Sequence, residues 1–422
     1  MKKLYICLTS ALFLFLAGNE AQAQCSGIRY RDFMFTDSVT SNIQYGQNLR
    51  YNSAVFPLTM DMHMPKADPA PTNRPLIILA HGGSFVQGDK AGSDVLPLAK
   101  DFARMGYVVA SINYRLGMDG FPATPLDSFI ATRAVMRAVQ DAHAAVRFFR
   151  KSFVNGNPYG IDTSKIFFDG VSAGAFMGLH LAYLNQANEF PVWCDTTKPG
   201  LSGGIEGVSG NPGYPSNVKA IINICGAIGD TNWIKPGATP VLSFHGDADG
   251  TVPYGTAHIV VFGTTLQTVH GSHSIMLRAN HVGLPNCFDQ WVGQNHVPEV
   301  GSPAYYDTCL NISRNYLVHF LCGDAMYCEY KNPLGIVEHD LQHITLNCYP
   351  NPSNGSVHID LSAVYGEEVT LSLYNNMGQE VRQIKGIRDA QFTLERGDLP
   401  NGLYLVDVIV KGKRYVSRLL FN

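Results

Sequence analysis

Between Arg74 and His319, short apolar runs alternate with stretches of helical period, and nothing else in the chain limits the fold as strongly. Residues 74–80 (RPLIILA), 107–113 (YVVASIN), 165–168, 218–224 and 240–244 read as buried strands. Residues 94–105, 131–153 and 173–184 carry their apolar side chains at helical spacing. Strand and helix in alternation predict an α/β fold, with a doubly wound, mostly parallel sheet covered by helices on both faces. Ahead of it, residues 28–35 and 58–64 read as antiparallel strands leading into the sheet.

The pattern changes after Cys328. Asn332-Pro333-Leu334-Gly335 and the polar stretch that follows read as a linker over residues 331–343. Residues 344–422 have no helical period. Strands are expected at 356–361, 369–374, 391–394, 403–410 and 415–421, with Lys411-Gly412-Lys413-Arg414 turning the last hairpin. Such a run predicts a small all-β, immunoglobulin-like sandwich. A length of 422 residues with 45% hydrophobic residues suits two domains, here 24–330 and 344–422.

The first residues form an expected export signal. Lys2 and Lys3 precede an apolar run over residues 4–17, and Ala21-Gln22-Ala23 supplies small residues for cleavage after residue 23. That run is too short to span a bilayer, which takes about 20 apolar residues. Gln24 stands before Cys25, where a lipid-anchoring motif requires a small residue. Export makes disulfides the default for the eight cysteines that remain without Cys7, and their spacings match no zinc or CxxC redox motif. Seven of them fall in the first domain, so at least one is a free thiol or bridges the domains. A net charge of −3 without a basic block excludes a partner bound by phosphate neutralisation, such as a nucleic acid.

Three motifs carry chemistry. Gly170-Val171-Ser172-Ala173-Gly174, between a strand and a helix, fits a nucleophile elbow centred on Ser172. Its glycines are required because side chains two positions either side of Ser172 would strike the neighbouring strand and helix. His81-Gly82-Gly83-Ser84-Phe85 follows the strand at 74–80 and fits an oxyanion loop. The N–H groups of Gly83 and Ser84, with that of Ala173, are the expected donors. Ser84 stands where such loops carry a third glycine, and His81 reads as a packing residue. His245-Gly246-Asp247-Ala248-Asp249 ends another strand, and its H-G-x-x-D pattern marks Asp249 as the acid and Asp247 as a turn residue. A calcium loop is disfavoured because no downstream Glu completes it. The base must follow in chain order. His296, in the Pro-bounded loop after residues 287–292, is preferred over His281 at a helix end, over His270 and His273 beside a helix start, and over His319 in an apolar helix.

Taken together, HGGSF, Ile112-Asn113-Tyr114-Arg115-Leu116-Gly117, Gln140-Asp141-Ala142, GVSAG, HGDADGTVP and Asn295-His296-Val297-Pro298 resemble the α/β-hydrolase superfamily over about residues 55–320. The nearest groups are carboxylesterase, dienelactone-hydrolase and polyester-depolymerase-like esterases. The resemblance implies a secreted serine carboxylesterase with a Ser172–Asp249–His296 triad and an acyl-enzyme. It calls for no metal or organic cofactor. Ester groups on polysaccharide, acetyl or feruloyl, fit an exported enzyme of this kind. An amidase or peptidase of the same fold, and a non-catalytic binding or adhesion module, are the alternatives. Residues 348–355 (CYPNPSNG), 373–378 (LYNNMG) and 399–404 (LPNGLY) resemble the C-terminal sorting domain of type IX secretion. That likeness implies the secretion machinery as a partner, and release or attachment at the cell surface.

Overall fold

The computed structural model describes residues 25, 28–191, 193–329, 346–364, 366–375, 379–410 and 413–422. The expected export signal, the expected linker and the turn at Lys411-Gly412 lie outside the described residues. The chain divides into two compact units, Met1–Pro333 and Leu334–Asn422.

The first unit begins β1 (Thr36–Leu49), β2 (Val55–Lys66), β3 (Arg74–Ala80), α1 (Leu96–Met105), β4 (Val108–Ile112), α2 (Ser128–Val154), β5 (Ile161–Val171) and α3 (Ala173–Tyr183). It continues β6 (Ile221–Ile224), β7 (Ala227–Ile228), β8 (Val241–Gly246), β9 (Thr256–Val261), β10 (Thr264–Gly271), α4 (Ser272–His281), β11 (Asn286–Trp291) and α5 (Pro303–Cys322). Eight strands form one sheet in the order β1-β2-β4-β3-β5-β6-β8-β11. The β1–β2 and β2–β4 pairs are antiparallel, and every pair from β4–β3 to β8–β11 is parallel. This is the expected α/β architecture.

The period of two along β3 sorts its side chains between two cores. Leu76, Ile78 and Ala80 join one with residues of α2 and α3, while Ile77 and Leu79 join the other with residues of α1 and α5. Each fully buried Leu or Ile contributes about 1.5–3 kcal/mol, so a strand buried on both faces holds its helices firmly. The carboxyl ends of β3, β5, β8 and β11 share one edge of the sheet. Loops leaving that edge are where an open parallel sheet can gather residues from distant parts of the chain.

Two expectations about local structure need correction. Residues 28–35 are not a strand: turns occupy residues 28–32, and the first strand starts at Thr36. Tyr30 is buried there against Tyr107, and its N–H donates to Met105 O, whereas Ile28, Phe33 and Met34 are exposed. Ile28-Arg29-Tyr30-Arg31 alternates like a strand, but Asp32 and the run Phe33-Met34-Phe35 do not continue the period. The hairpin β9–β10, which joins β7 in a second sheet of three strands, was not anticipated. It turns on Phe262 and Gly263, both with left-handed φ of 50° and 77°.

The cysteines are bridged less fully than export implies. Cys25 pairs with Cys322 and Cys287 with Cys328, while Cys194, Cys225, Cys309 and Cys348 are free. Cys194, Cys225 and Cys309 sit in the apolar cores as small buried side chains.

The second unit is all-β, as expected. One antiparallel sheet holds β12 (Cys348–Tyr349), β13 (Val357–Asp360) and β16 (Gln391–Leu394). The other holds β15 (Glu380–Ile387), β14 (Val369–Tyr374), β17 (Gly402–Val410) and β18 (Lys413–Phe421). Val357, Ile359, Leu371, Leu373, Val406 and Leu419 belong to its single apolar core.

Candidate active site

The elbow forms where β5 runs into α3. Ser172 adopts φ 52° and ψ −114°, a strained conformation for a side chain with a Cβ. Its N–H donates to Ile224 O at 2.8 Å, which fixes the turn to β6. The two glycines make the turn sterically attainable. A Cβ at Gly174 would lie 2.1 Å from Ala80 O, and one at Gly170 would lie 2.3 Å from the Gly174 carbonyl.

Around Ser172 the structure brings together residues from three loops. His296 Nε2 lies 2.8 Å from Ser172 Oγ, and His296 Nδ1 lies 2.7 Å from Asp249 Oδ2. Asp249 has a fully buried side chain, and its Oδ1 accepts the N–H groups of Thr251 at 2.8 Å and Val252 at 2.9 Å. Burial pushes the Asp249 carboxyl up, but hydrogen bonds from His245, His296 and the Val252 N–H, with the charge of His296, outweigh it. The group is held well below the usual carboxylate range.

Asn295 and Asp247 lock the loops of Asp249 and His296 together. Asn295 Oδ1 accepts from His296 N and Gly250 N, while Asp247 accepts from Gly293 N and Gln290 Nε2. Gly246 admits this crossing, since a Cβ there would lie 2.2 Å from Gln294 O. The other histidines weighed as the base stand apart from this chain. His281 is exposed at the end of α4, and His319 is half-buried with Nδ1 at Asp324 O. His270 bonds Thr256 Oγ1 and His273 stacks on Tyr254.

Of the three expected oxyanion donors, Ser84 and Ala173 line the cleft beside Ser172, and Gly83 does not. Gly83, Ser84 and Phe85 all have left-handed φ, which coils the loop so that Gly83 O accepts Val86 N and Gln87 N. The loop is braced from below. His81 is fully buried and stacks on Tyr114, whose hydroxyl donates to His81 O at 2.8 Å. Arg115, next in sequence, forms a buried ion pair with Asp141 at 2.8 Å. Tyr114 therefore supports the loop, Arg115, Gln140 and Asp141 tie α2 to residues 200–209, and none of these side chains lines the cleft.

His245 is a site residue that the sequence reading passed over. It is fully buried, with Nε2 3.2 Å from Asp249 Oδ2 and Nδ1 2.7 Å from Ser272 Oγ. Asn223 Nδ2 donates to Ser272 Oγ and to Ser243 Oγ, extending a polar chain behind the acid. Ser272 and Asn223 come from other elements, so no local spacing revealed the chain.

Cys225, Asp249 and His296 could offer metal-ligand atoms within 4.8 Å of one another. The donor chemistry does not favour an ion there. Asp249 and His296 already bond each other, and burial pushes the Cys225 thiol up, away from thiolate.

Beside Ser172 opens a cleft of about 330 Å³, walled by apolar side chains including Phe85, Met118, Phe176, Val252 and Leu266. Residues 60–229, which hold the oxyanion loop and the elbow, match the family model BD-FAE, and residues 347–422 match the secretion system C-terminal sorting domain. The chain joins a BD-FAE-type α/β-hydrolase domain to a type IX sorting domain. The sorting domain assigns it to secretion or the cell surface, and no helix among the described residues is long and apolar enough to cross a membrane.

Carboxylesterase 3B of Mus musculus is 31% identical over 143 residues, covering 32% of this chain. The chain spans 23% of that protein's length. Two solved structures of a Thermogutta terrifontis esterase are similar. Its apo form is 20% identical with TM-score 0.48, covering 69% of this chain and 97% of that one. Its propionate-bound form is 19% identical with TM-score 0.45, covering 63% and 90%.

Proposed function

We propose that this α/β-hydrolase domain is a serine carboxylic ester hydrolase with Ser172 as nucleophile, His296 as general base and Asp249 as the orienting acid. The observation that carries the reading is the unbroken hydrogen-bond chain Ser172 Oγ–His296 Nε2, His296 Nδ1–Asp249 Oδ2, at 2.8 and 2.7 Å on a strained elbow. His296 takes the Ser172 proton as Oγ attacks the ester carbonyl, and Asp249 stabilises the imidazolium so formed. The N–H groups of Ser84 and Ala173 receive the oxyanion, with Gly83 as the third expected donor. The N-terminus of α3 adds a favourable field there. Collapse of the tetrahedral intermediate sends the His296 proton to the leaving alcohol, and a water activated by the same ring then frees the acid.

Ser84 and Ala173 line the apolar cleft, while His296 stands outside its lining. The alcohol leaves on the side of the base that protonates it, so the cleft takes the acyl group that stays on Ser172. Acetyl or feruloyl esters borne by polysaccharide suit a secreted enzyme with this pocket.

A screen of the purified protein against p-nitrophenyl esters, acetylated xylan and feruloyl esters tests the reading. Ester turnover is expected, and Ser172→Ala should reduce it by about 10³-fold or more in a folded protein. Undiminished turnover in Ser172→Ala would overturn it.

A further inference from the structure

The acyl cleft ends at a wall that it shares with a second cavity. Val135, Phe176, Gln267 and Val269 line both spaces, the cleft of about 330 Å³ and a neighbour of about 520 Å³. The neighbour opens beyond them among Met136, His180, Phe190 and Trp233. Three of the wall residues are apolar and belong to the packed core or lie against it. Gln267 is the exception.

Its place in the wall depends on a β-bulge. β10 pairs with β9 at Thr265↔Val260 and again at Thr268↔His258, so three steps on β10 oppose two on β9. An extra residue interrupts the alternation of faces. As a result Leu266 and Gln267, adjacent in sequence, both line the cleft. Gln267 Nε2 reaches across the wall to Thr132 Oγ1 on α2 at 3.4 Å, and its Oε1 is buried without a hydrogen-bond partner among the described residues. A bond of that length is weak, so Gln267 is a bar across the passage with a loose latch.

We propose that Gln267, latched to Thr132, is the specificity-determining residue that closes the far end of the acyl cleft and sets the longest acyl chain accepted. With the bar in place, short acyl groups fill the cleft and longer ones meet the wall. Removing it joins the two cavities into a channel that admits longer aliphatic acyl chains. Because this rests on the esterase reading of Ser172, the test needs one arm that does not depend on turnover. Each additional buried methylene is worth about fourfold in affinity, so even a few newly admitted carbons give a large signal.

The first arm compares kcat/KM for p-nitrophenyl butyrate and decanoate in the wild type, Gln267→Ala and, should that fold poorly, Gln267→Thr. The decanoate-to-butyrate ratio should rise by about 10-fold or more in either variant. A ratio within twofold of wild type overturns the proposal. The second arm measures binding of butanoate and decanoate by calorimetry to Ser172→Ala and to Ser172→Ala carrying Gln267→Ala. Decanoate should gain at least about 10-fold in affinity relative to butanoate when Gln267 is removed. Equal relative affinities overturn the gate. Absence of ester turnover in the wild type would count against the esterase reading alone, and the binding arm would still decide on Gln267.

Discussion

His245 Nε2 lies 3.2 Å from Asp249 Oδ2, the same oxygen that faces His296 Nδ1 at 2.7 Å. Asp249 is thus held from both sides, by the proposed base toward the cleft and by a buried histidine within the protein. Ser272 accepts a hydrogen bond from Asn223 and stands 2.7 Å from His245 Nδ1, which fits a tautomer with the proton on Nε2. The arrangement fixes the direction in which Asp249 presents its charge.

The first prediction follows. His245→Phe should lower kcat by about 10-fold or more with a smaller change in KM, as loss of a hydrogen-bonded support behind a reacting group does. His245→Gln, which can still donate to Asp249, should recover part of the loss. Steady-state kinetics on p-nitrophenyl butyrate checks both. Wild-type kcat in a folded His245→Phe would show that the second histidine does not position the acid.

A second prediction concerns pH and stability. Asp169, at the end of β5, and Glu299, three residues after His296, are buried, and neither forms an ion pair with a cation among the described residues. Burial pushes Asp169 up to about 8, helped by the charge of Glu299. Burial likewise pushes Glu299 up to about 8, helped by Asp94 and Asp249. Both are therefore protonated in the fold at neutral pH. As pH rises from about 4 to about 8 the unfolded chain loses protons that the fold retains, so stability falls across that window. Each group costs up to about 1.4 kcal/mol per pH unit there. Melting temperature should fall between pH 5 and pH 8, and the Asp169→Asn, Glu299→Gln double variant should flatten the fall. An identical slope in the double variant would contradict the assignment.

Much of this site was legible in the sequence. Ser172, Asp249 and His296, the proposed nucleophile, acid and base, each follow a strand, and strand-turn-helix context turns Gly170-Val171-Ser172-Ala173-Gly174 from a common pentapeptide into a turn with one geometry. The hairpin β9–β10 was less legible because β9 is largely exposed and carries no unbroken apolar run, although the β-branched residues flanking Phe262-Gly263 are a hairpin signal. His245 could not be read as a support for Asp249 because Ser272 and Asn223, which complete its chain, are distant in sequence. Gln267 depends on a bulge, and a one-residue slip in register leaves no mark in composition. Disulfide pairing is decided by which cysteines the fold brings within reach, here across sequence separations of 297 and 41. Asp169, inside the apolar run Ile166-Phe167-Phe168-Asp169, was a visible signal of a buried acid that the sequence reading did not use.

The third prediction tests the division of the chain. We propose that residues 24–330 fold and act without the sorting domain, since each unit has its own apolar core. Protein ending after Asn332 should unfold cooperatively and retain its kcat/KM for p-nitrophenyl butyrate within about twofold. In a host with type IX secretion it should accumulate in the periplasm. A purified truncated protein that is folded but inactive would mean that the tail contributes to the catalytic unit.

The central claim is that Ser172 is a nucleophile activated by His296. A fluorophosphonate probe followed by intact-mass measurement and peptide mapping reads this directly, because the probe reacts with an activated serine and needs no knowledge of the substrate. The account predicts one adduct per chain on Ser172 in the wild type, none in Ser172→Ala, and labelling slowed by about 10³-fold or more in His296→Ala. An adduct on another residue, or labelling of His296→Ala at the wild-type rate, would contradict it.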